Sequence, residues 1–207
     1  MARFYIPLKD GLKQLPNFSS IVSIGSYGLY NAFFNCTGLT GSVSFPNLTT
    51  VDSNGLYNAF FNCTGLTGSV SFPSLTTIGS SGLYYAFQGC TSLTGSVSFP
   101  SLTTVDSNGL AYAFQGCTGL IGSVSFPSLT TVGTNGLYNA FNNCTGLTSV
   151  SFPSLTTVGT NGLNNAFRNC TNITELHFKS SAQSTIERLS GYSSRFGATN
   201  ATIYFDL

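Results

Sequence analysis

The sequence predicts a β-rich α/β solenoid on three observations. A unit of 26 or 27 residues recurs along most of the chain, each unit carries one cysteine at the same phase, and each contains a short polar–apolar alternation ending in Phe-Pro. The cysteines are Cys36, Cys63, Cys90, Cys117, Cys144 and Cys170, at spacings of 27, 27, 27, 27 and 26. The unit that begins at Gly28 returns from Gly55, Gly82, Gly109 and Gly136 with few changes. Self-similarity at this period means coils stacked on one another, each covering the apolar face of the next. No linker breaks the period, so the 207 residues form one continuous domain.

The coil from Gly28 to Asn54 shows how each element arises. Leu29, Ala32, Phe33 and Cys36 fall at i, i+3, i+4 and i+7, which predicts one inward face of a short helix. The position of Asn35 is occupied only by Asn or Gly in the other coils, the two residues that most readily accept a left-handed cap. Leu39 re-enters the core. Ser42 to Phe45 then reads as a strand with Val43 and Phe45 inward and the serines outward, and Pro46 stops it. Leu48 and Val51 turn inward again, with Thr49 and Thr50 exposed between them, and a polar turn from Asp52 to Gly55 opens the next coil.

Cys-Thr-x-Leu, the strand ending in Phe-Pro and the Ala-Phe pair before each cysteine resemble leucine-rich repeats of the BspA-like class over roughly residues 28–178. The resemblance implies a right-handed α/β leucine-rich-repeat solenoid, with short parallel strands on the concave side and short helices or turns on the convex side. Coils at Leu147–Phe152 and Ile173–Phe178 carry the usual spacing, whereas the first four insert Gly41, Gly68, Gly95 and Gly122. An inserted residue inverts the faces of a strand unless absorbed locally, so a bulge is expected in coils one to four and none in coil five.

The ends differ from the array, as caps must. Residues 1–27 read as an N-terminal cap and partial coil, 28–178 as the array, and 179–207 as a C-terminal cap. Phe4 to Pro7 resemble a terminal strand. Ala182 to Leu189 predicts a short helix with Ser181 as a candidate N-cap, and Ala201 to Phe205 a closing strand, so a natural C-terminus near Leu207 is expected.

Composition excludes several functions. Charged residues make up 6% of the chain, and between Gln14 and Phe167 only Asp52 and Asp106 are charged. Nucleic-acid backbones and anionic membrane surfaces need clustered Lys or Arg, which the repeats lack. No apolar run is long enough to span a bilayer, and Met1 to Ser20 has no apolar signal-peptide core. One cysteine per coil makes a column whose parallel Cβ vectors disfavour disulfides, so six buried free thiols are expected. No Cys-x-x-Cys pair or neighbouring histidine offers a metal site, and no cofactor is implied. The eight Asn-x-Ser/Thr triplets arise largely from the coil itself and matter only in a eukaryotic secretory setting.

Three surfaces are candidates for function. The convex side carries an aromatic stripe in which Tyr30, Tyr57, Tyr84 and Tyr138 form a column, joined by Tyr85 and Tyr112 one position on, with Phe34 and Phe61 exposed on the first two helices. Such rings offer rigid amphipathic contact area, although stacking between coils is an equal explanation. The concave sheet exposes Ser44, Ser71, Ser98 and Ser125, a weaker candidate for sugars or an extended polymer. Paired threonines such as Thr49 and Thr50 are adjacent, so they need not share the flat face an ice-binding array requires. By register, Ser151 meets His177 and Ser149 meets Glu175, but there is no nucleophile turn or oxyanion hole, and no catalytic residue is predicted.

The expected function is therefore a non-enzymatic binding module, and the resemblance implies adhesion to a host protein, a glycan or another cell from an extracellular or cell-surface location. The alternative is a structural spacer within a larger assembly. The partner is a protein or carbohydrate, with no nucleic acid and no membrane insertion.

Overall fold

The computed structural model describes residues 11–207, so the terminal strand expected at Phe4–Pro7 lies outside the described residues. Strands come in chain order as β1 (Ser23–Ile24), β2 (Val43–Ser44), β3 (Thr50–Val51), β4 (Val70–Ser71), β5 (Thr77–Ile78), β6 (Val97–Ser98) and β7 (Thr104–Val105). They continue as β8 (Ile121–Ser125), β9 (Thr131–Val132), β10 (Gly146–Phe152), β11 (Thr157–Val158), β12 (Glu175–Phe178) and β13 (Thr202–Phe205). Two parallel sheets result, one of seven strands in the order β13-β12-β10-β8-β6-β4-β2 and one of six in the order β1-β3-β5-β7-β9-β11. The seven-stranded sheet is the one expected from the Ser-Val-Ser-Phe alternation. The six-stranded sheet is an addition to that expectation, built from Ser23–Ile24 and the Thr-Val or Thr-Ile pair of each later coil.

The third side of each coil departs from expectation. The inward set is as the spacing implies, since Leu29, Ala32, Phe33 and Cys36 are all buried. The backbone, however, is a run of tight turns rather than a helix. Alternate N–H groups stay within the coil, as Ala32 to the Leu29 carbonyl at 3.1 Å and Cys36 to Phe33 at 3.0 Å. The others reach the next coil: Leu29 to Gly55 at 2.8 Å, Asn31 to Tyr57 at 3.0 Å, Phe33 to Ala59 at 2.8 Å. A helix would direct all of these N–H groups to its own carbonyls four residues back. Every fourth residue here is left-handed instead, with φ of 54° at Asn31 and 59° at Asn35, and likewise at Asn58, Asn62, Asn139, Asn143, Asn165 and Asn169. The residue at Asn35 that looked like a helix cap is one of a repeating set.

The extra glycine of the early coils also behaves differently. Gly68 N–H donates to the Gly41 carbonyl and Gly95 N–H to Gly68, each at 3.3 Å, so the inserted residues stack as a rung of their own. Val43 pairs with Val70, Val70 with Val97 and Ser98 with Ser125 without slippage. The register shift falls once, between Leu147 and Ser149 opposite β8, where the insertion ends. An insertion shared by neighbours lengthens the coil, and only its loss creates an irregularity.

The invariant glycine at the start of each coil has a packing cause. A Cβ on Gly55 would stand 2.8 Å from Val51 Cγ1 and 3.1 Å from the Asp52 carbonyl oxygen. The chain can fold from the six-stranded sheet onto the turn side only where no side chain intervenes.

Two columns of phenylalanine fill the interior. Phe33, Phe60, Phe87, Phe114 and Phe141 stack at 4.9–5.2 Å with planes within 7°. A second column runs Phe45, Phe72, Phe99, Phe126, Phe152 and Phe178. Phe18 closes its near end, stacked on Phe45 at 4.2 Å. At the far end Phe196 meets Phe178 edge-on at 6.0 Å. The helix expected at Ala182–Leu189 is a 3₁₀ turn, Ser180–Ala182, followed by a single α-helical turn α1 (Gln183–Ile186), and Ser181 caps neither, since neither has a side-chain cap. Replacing Phe99, 1% exposed and stacked on both sides, by alanine is expected to lower stability by about 3–5 kcal/mol in urea unfolding. An unchanged unfolding midpoint would refute the packing described here.

Candidate functional site

The aromatic stripe lies on the turn side, carried by the positions between the inward residues. Tyr30, Tyr57 and Tyr84 stack face to face at 5.0 Å, with planes 17° and 14° apart. Phe34 and Phe61 stack in the same way at 4.9 Å and 7°. The column then changes geometry: Tyr85 meets Tyr84 edge-on at 4.3 Å and lies 4.7 Å from Tyr112, which meets Tyr138 edge-on at 5.4 Å. Of the six residues expected here, only Tyr30 is exposed, at 43%. Tyr57, Tyr84, Tyr85, Phe34 and Phe61 are half-buried. The correction for Phe34 and Phe61 has a simple cause, because the coil spacing brings each ring into van der Waals contact with its neighbour. Burial also raises the phenol pKa of Tyr57, Tyr84 and Tyr112, so these hydroxyls stay protonated.

Stacking determines what the stripe can touch. The ring faces cover one another, and the surface receives ring edges and hydroxyls. Tyr27, 53% exposed and 5.7 Å from Tyr30, extends the patch, although its coil is too incomplete for the repeat to mark it. Tyr85 and Tyr112 carry a second signal. They hold φ of 56° and 58° at the position where four other coils place asparagine. A bulky left-handed residue is a backbone outlier. The fourfold recurrence of Asn and Gly along the turns was the sequence signal for it.

The serine face is more self-satisfied than expected. Ser44 and Ser125 are exposed, while Ser71 and Ser98 are half-buried. Ser151 Oγ donates to Ser125 Oγ at 2.8 Å, and Ser123 and Ser149 share a hydroxyl bond at 2.8 Å. The first threonine of each pair is used between coils, Thr76 Oγ1 donating to the Thr49 carbonyl and Thr103 to Thr76, both at 3.0 Å.

All six cysteines are buried free thiols. Each from Cys63 onward donates its S–H to a phenylalanine carbonyl of the preceding coil, as Cys63 to Phe33 at 3.0 Å and Cys117 to Phe87 at 3.0 Å. Burial pushes the Cys63 and Cys170 thiols up to about 12, and raises Cys90, Cys117 and Cys144 as well. Thiolate is the reactive form, so the native protein should give almost no thiol titration at neutral pH and six equivalents after unfolding. Fewer than six would mean oxidised pairs.

The register places Ser151 beside His177 and Ser149 beside Glu175, as the 26-residue shift implied. The imidazole is nevertheless turned to carboxylates, with Nδ1 3.0 Å from Asp206 and Nε2 3.3 Å from Glu175, and it stacks on Tyr204 at 4.9 Å. Neither ring nitrogen faces the Ser151 hydroxyl, which is bonded to Ser125. The Asp206 hydrogen bond above all, with Glu175 assisting, raises the His177 pKa above its ordinary 6.5. The clip joining β12 to the segment after β13 is therefore fully formed below the ordinary value and lost as pH rises through the folded one. An NMR titration of His177 should give a midpoint above 6.5 that falls in Asp206→Asn.

The fold and this surface define a leucine-rich-repeat scaffold: stacked coils that present a long repetitive face. The BspA type leucine rich repeat family profile matches residues 10–135 and 84–193, in 6 copies, and the chain belongs to that family. Among solved structures it is similar to a Treponema pallidum leucine rich repeat protein, with 24% identity over 77% of this chain and a TM-score of 0.49. It is also similar to a leucine rich cell surface protein of Faecalibacterium prausnitzii, with 22% identity over 80% of this chain and a TM-score of 0.42. The chain spans 64% and 46% of those two proteins. No curated protein matches it. No helix among the described residues is long and apolar enough to cross a membrane.

Proposed function

We propose that the protein is an adhesive module that binds a protein partner at the cell surface through the turn-side aromatic patch of its first coils. The observation that carries this is the strained pair Tyr85 and Tyr112, held left-handed at φ of 56° and 58° where asparagine would fit without strain. Each costs roughly 1 kcal/mol against a residue suited to that region, and strain of this kind persists where function retains it. The rings they add lengthen the patch begun by Tyr30, Phe34, Tyr57 and Phe61.

A protein partner fits this patch better than a glycan. Sugars pack on ring faces, and here both faces of Tyr57 and one face of Phe61 are covered by stacked neighbouring rings. Edges and hydroxyls suit a mixed protein surface, the setting in which tyrosine is most effective. The near-absence of charge makes the contact insensitive to salt and dependent on area. Repetition adds avidity, since adjacent coils offer similar weak contacts at one spacing. A surface location accords with family membership and with six buried, weakly acidic thiols that resist oxidation.

The spacer reading draws on one observation: each coil repeats the hydrogen bonds of the last, so coils are interchangeable. Deleting one 27-residue coil separates the two, because a spacer keeps its role at shorter reach while an adhesin loses avidity.

The test is binding of the intact chain to an array of extracellular-matrix proteins and glycans. Phe34→Ser with Phe61→Ser should weaken the interaction by about tenfold or more, as loss of an aromatic anchor does. Gln88, Gln115 and Asn142 already occupy the equivalent positions, so the coils tolerate a polar residue there. Tyr85→Asn should weaken binding while changing stability by less than about 1 kcal/mol, because relief of left-handed strain offsets the lost ring contacts. Protein hits unaffected by both variants would remove the patch from the account.

A further inference from the structure

At the opposite end of the turn side, the last coil and the C-terminal cap form a half-open cleft of about 300 Å³, with Arg168, Asn169, Thr171, Ser194 and Thr199 exposed along it. Its walls carry Asn165, Arg168, Asn169, Thr171, Ser194 and Thr199, with no carboxylate and no aromatic ring among the lining residues. Arg168 occupies the column that holds Phe34, Phe61, Gln88, Gln115 and Asn142 in earlier coils. It is the first cation of the chain after Lys13, and among the described residues its guanidinium has no carboxylate partner.

Four of the six polar side chains here are uncommitted within the protein, unlike those of the array. In the coils, threonine, serine and cysteine side chains donate to carbonyls of the preceding coil. In the cleft, the side chains of Asn165, Arg168, Thr171 and Thr199 make no hydrogen bond to any described residue. Ser194 Oγ donates to the Gly191 carbonyl and Asn169 Nδ2 to Asn143 Oδ1, which hold the rim in place.

The cap wall is built at a conformational cost. Arg195, Phe196 and Gly197 are left-handed in succession, with φ of 52°, 52° and 95°. Phe196 is fully buried, and its carbonyl accepts the Phe167 N–H at 3.0 Å, continuing the inter-coil ladder into the cap. A Cβ at Gly197 would stand 2.6 Å from Arg168 Cα, so only glycine lets the loop close on that residue. Asn200 Nδ2 ties the same loop to the Thr171 carbonyl at 3.1 Å. The strained run thus fixes one wall against the last coil, and the cleft is preformed.

We infer that this cleft is a binding site for a sugar carrying a single carboxylate. One guanidinium supplies one positive charge in a planar fork that matches a carboxylate bidentately. The Asn165 amide and the Thr171 and Thr199 hydroxyls around it match ring hydroxyls, and the volume is at the lower end for a small-molecule site, suited to one sugar ring. A phosphate, with more charge, would call for further cations that the lining lacks. This site is separate from the aromatic patch and does not depend on it.

Calorimetry and NMR on the intact chain with N-acetylneuraminic acid and with glucuronic acid test the inference, with galactose and acetate as controls. Saturable binding of either acid, with resonance shifts at Asn165, Arg168 and Thr199, is the expected result, and the preferred acid distinguishes a sialylated glycan from a uronic-acid polymer. Arg168→Gln, which installs the residue of two earlier coils, should weaken binding at least about tenfold by removing a charge-assisted hydrogen-bond pair. Phe34→Ser with Phe61→Ser should leave it unchanged, so failure here and failure of the adhesive patch are read independently. No saturation by either acid at millimolar concentration, acetate binding as well as the sugar acids, or an unaffected Arg168→Gln variant would each overturn the site.

Discussion

A coil of this protein has no self-contained backbone on its turn side: every second N–H there finds its acceptor only in the coil that follows. Leu29, Asn31, Phe33 and Asn35 all donate forward to Gly55, Tyr57, Ala59 and Phe61. The carbonyls of one coil must therefore stand where the N–H groups of its neighbour point. That requirement sets the spacing of about 5 Å seen between stacked rings and forces equivalent residues to lie over one another. Phenylalanine then stacks on phenylalanine, and each thiol meets the same carbonyl one coil back. The repetition of the sequence is the chemical consequence of this pairing.

The same superposition accounts for the missing charge. A charged residue repeated in every coil would form a column of like charges about 5 Å apart, with repulsion on the order of 1 kcal/mol or more per pair even near water. Hydroxyls and amides pair with their own kind, and charges do not. Asp52 and Asp106 show how the chain handles the exception, since the coil between them places Gly79 in that column and the coil after places Gly133. The cations gather at the ends, where no equivalent residue follows.

Much of the fold was legible because burial follows the period. Leu29, Ala32, Phe33, Cys36, Val43 and Phe45 are inward, as their spacing implied. The turn-side backbone was not, because successive tight turns and a helix place nearly the same residues inward, and only the asparagines at every fourth position distinguish them. The six-stranded sheet was hidden in pairs as short as Thr50–Val51, too brief to show a period of two. The aromatic patch was read from its residue types, but its exposure was overestimated because ring-on-ring contact depends on the distance between coils. The cleft at Arg168 could not be read at all. Its second wall comes from residues 194–199, which follow no repeat, and it exists only because Phe196 anchors that loop in the core.

The hydrogen bonds between coils run along the axis of the stack, and this gives the molecule a mechanical character. A pull between its two ends loads the ladders in series, so the weakest junction opens first and the rest hold. Each coil of 27 residues occupies about one strand spacing along the axis and releases roughly 90 Å of extended chain when it opens. The seven-stranded sheet is thinnest between β6 and β8, where the one registered pair is Ser98 with Ser125, whereas β8 and β10 pair at five positions despite the register step, so such peeling would favour the former junction. A stack built this way lengthens under load coil by coil, while every coil not yet opened keeps its surface intact.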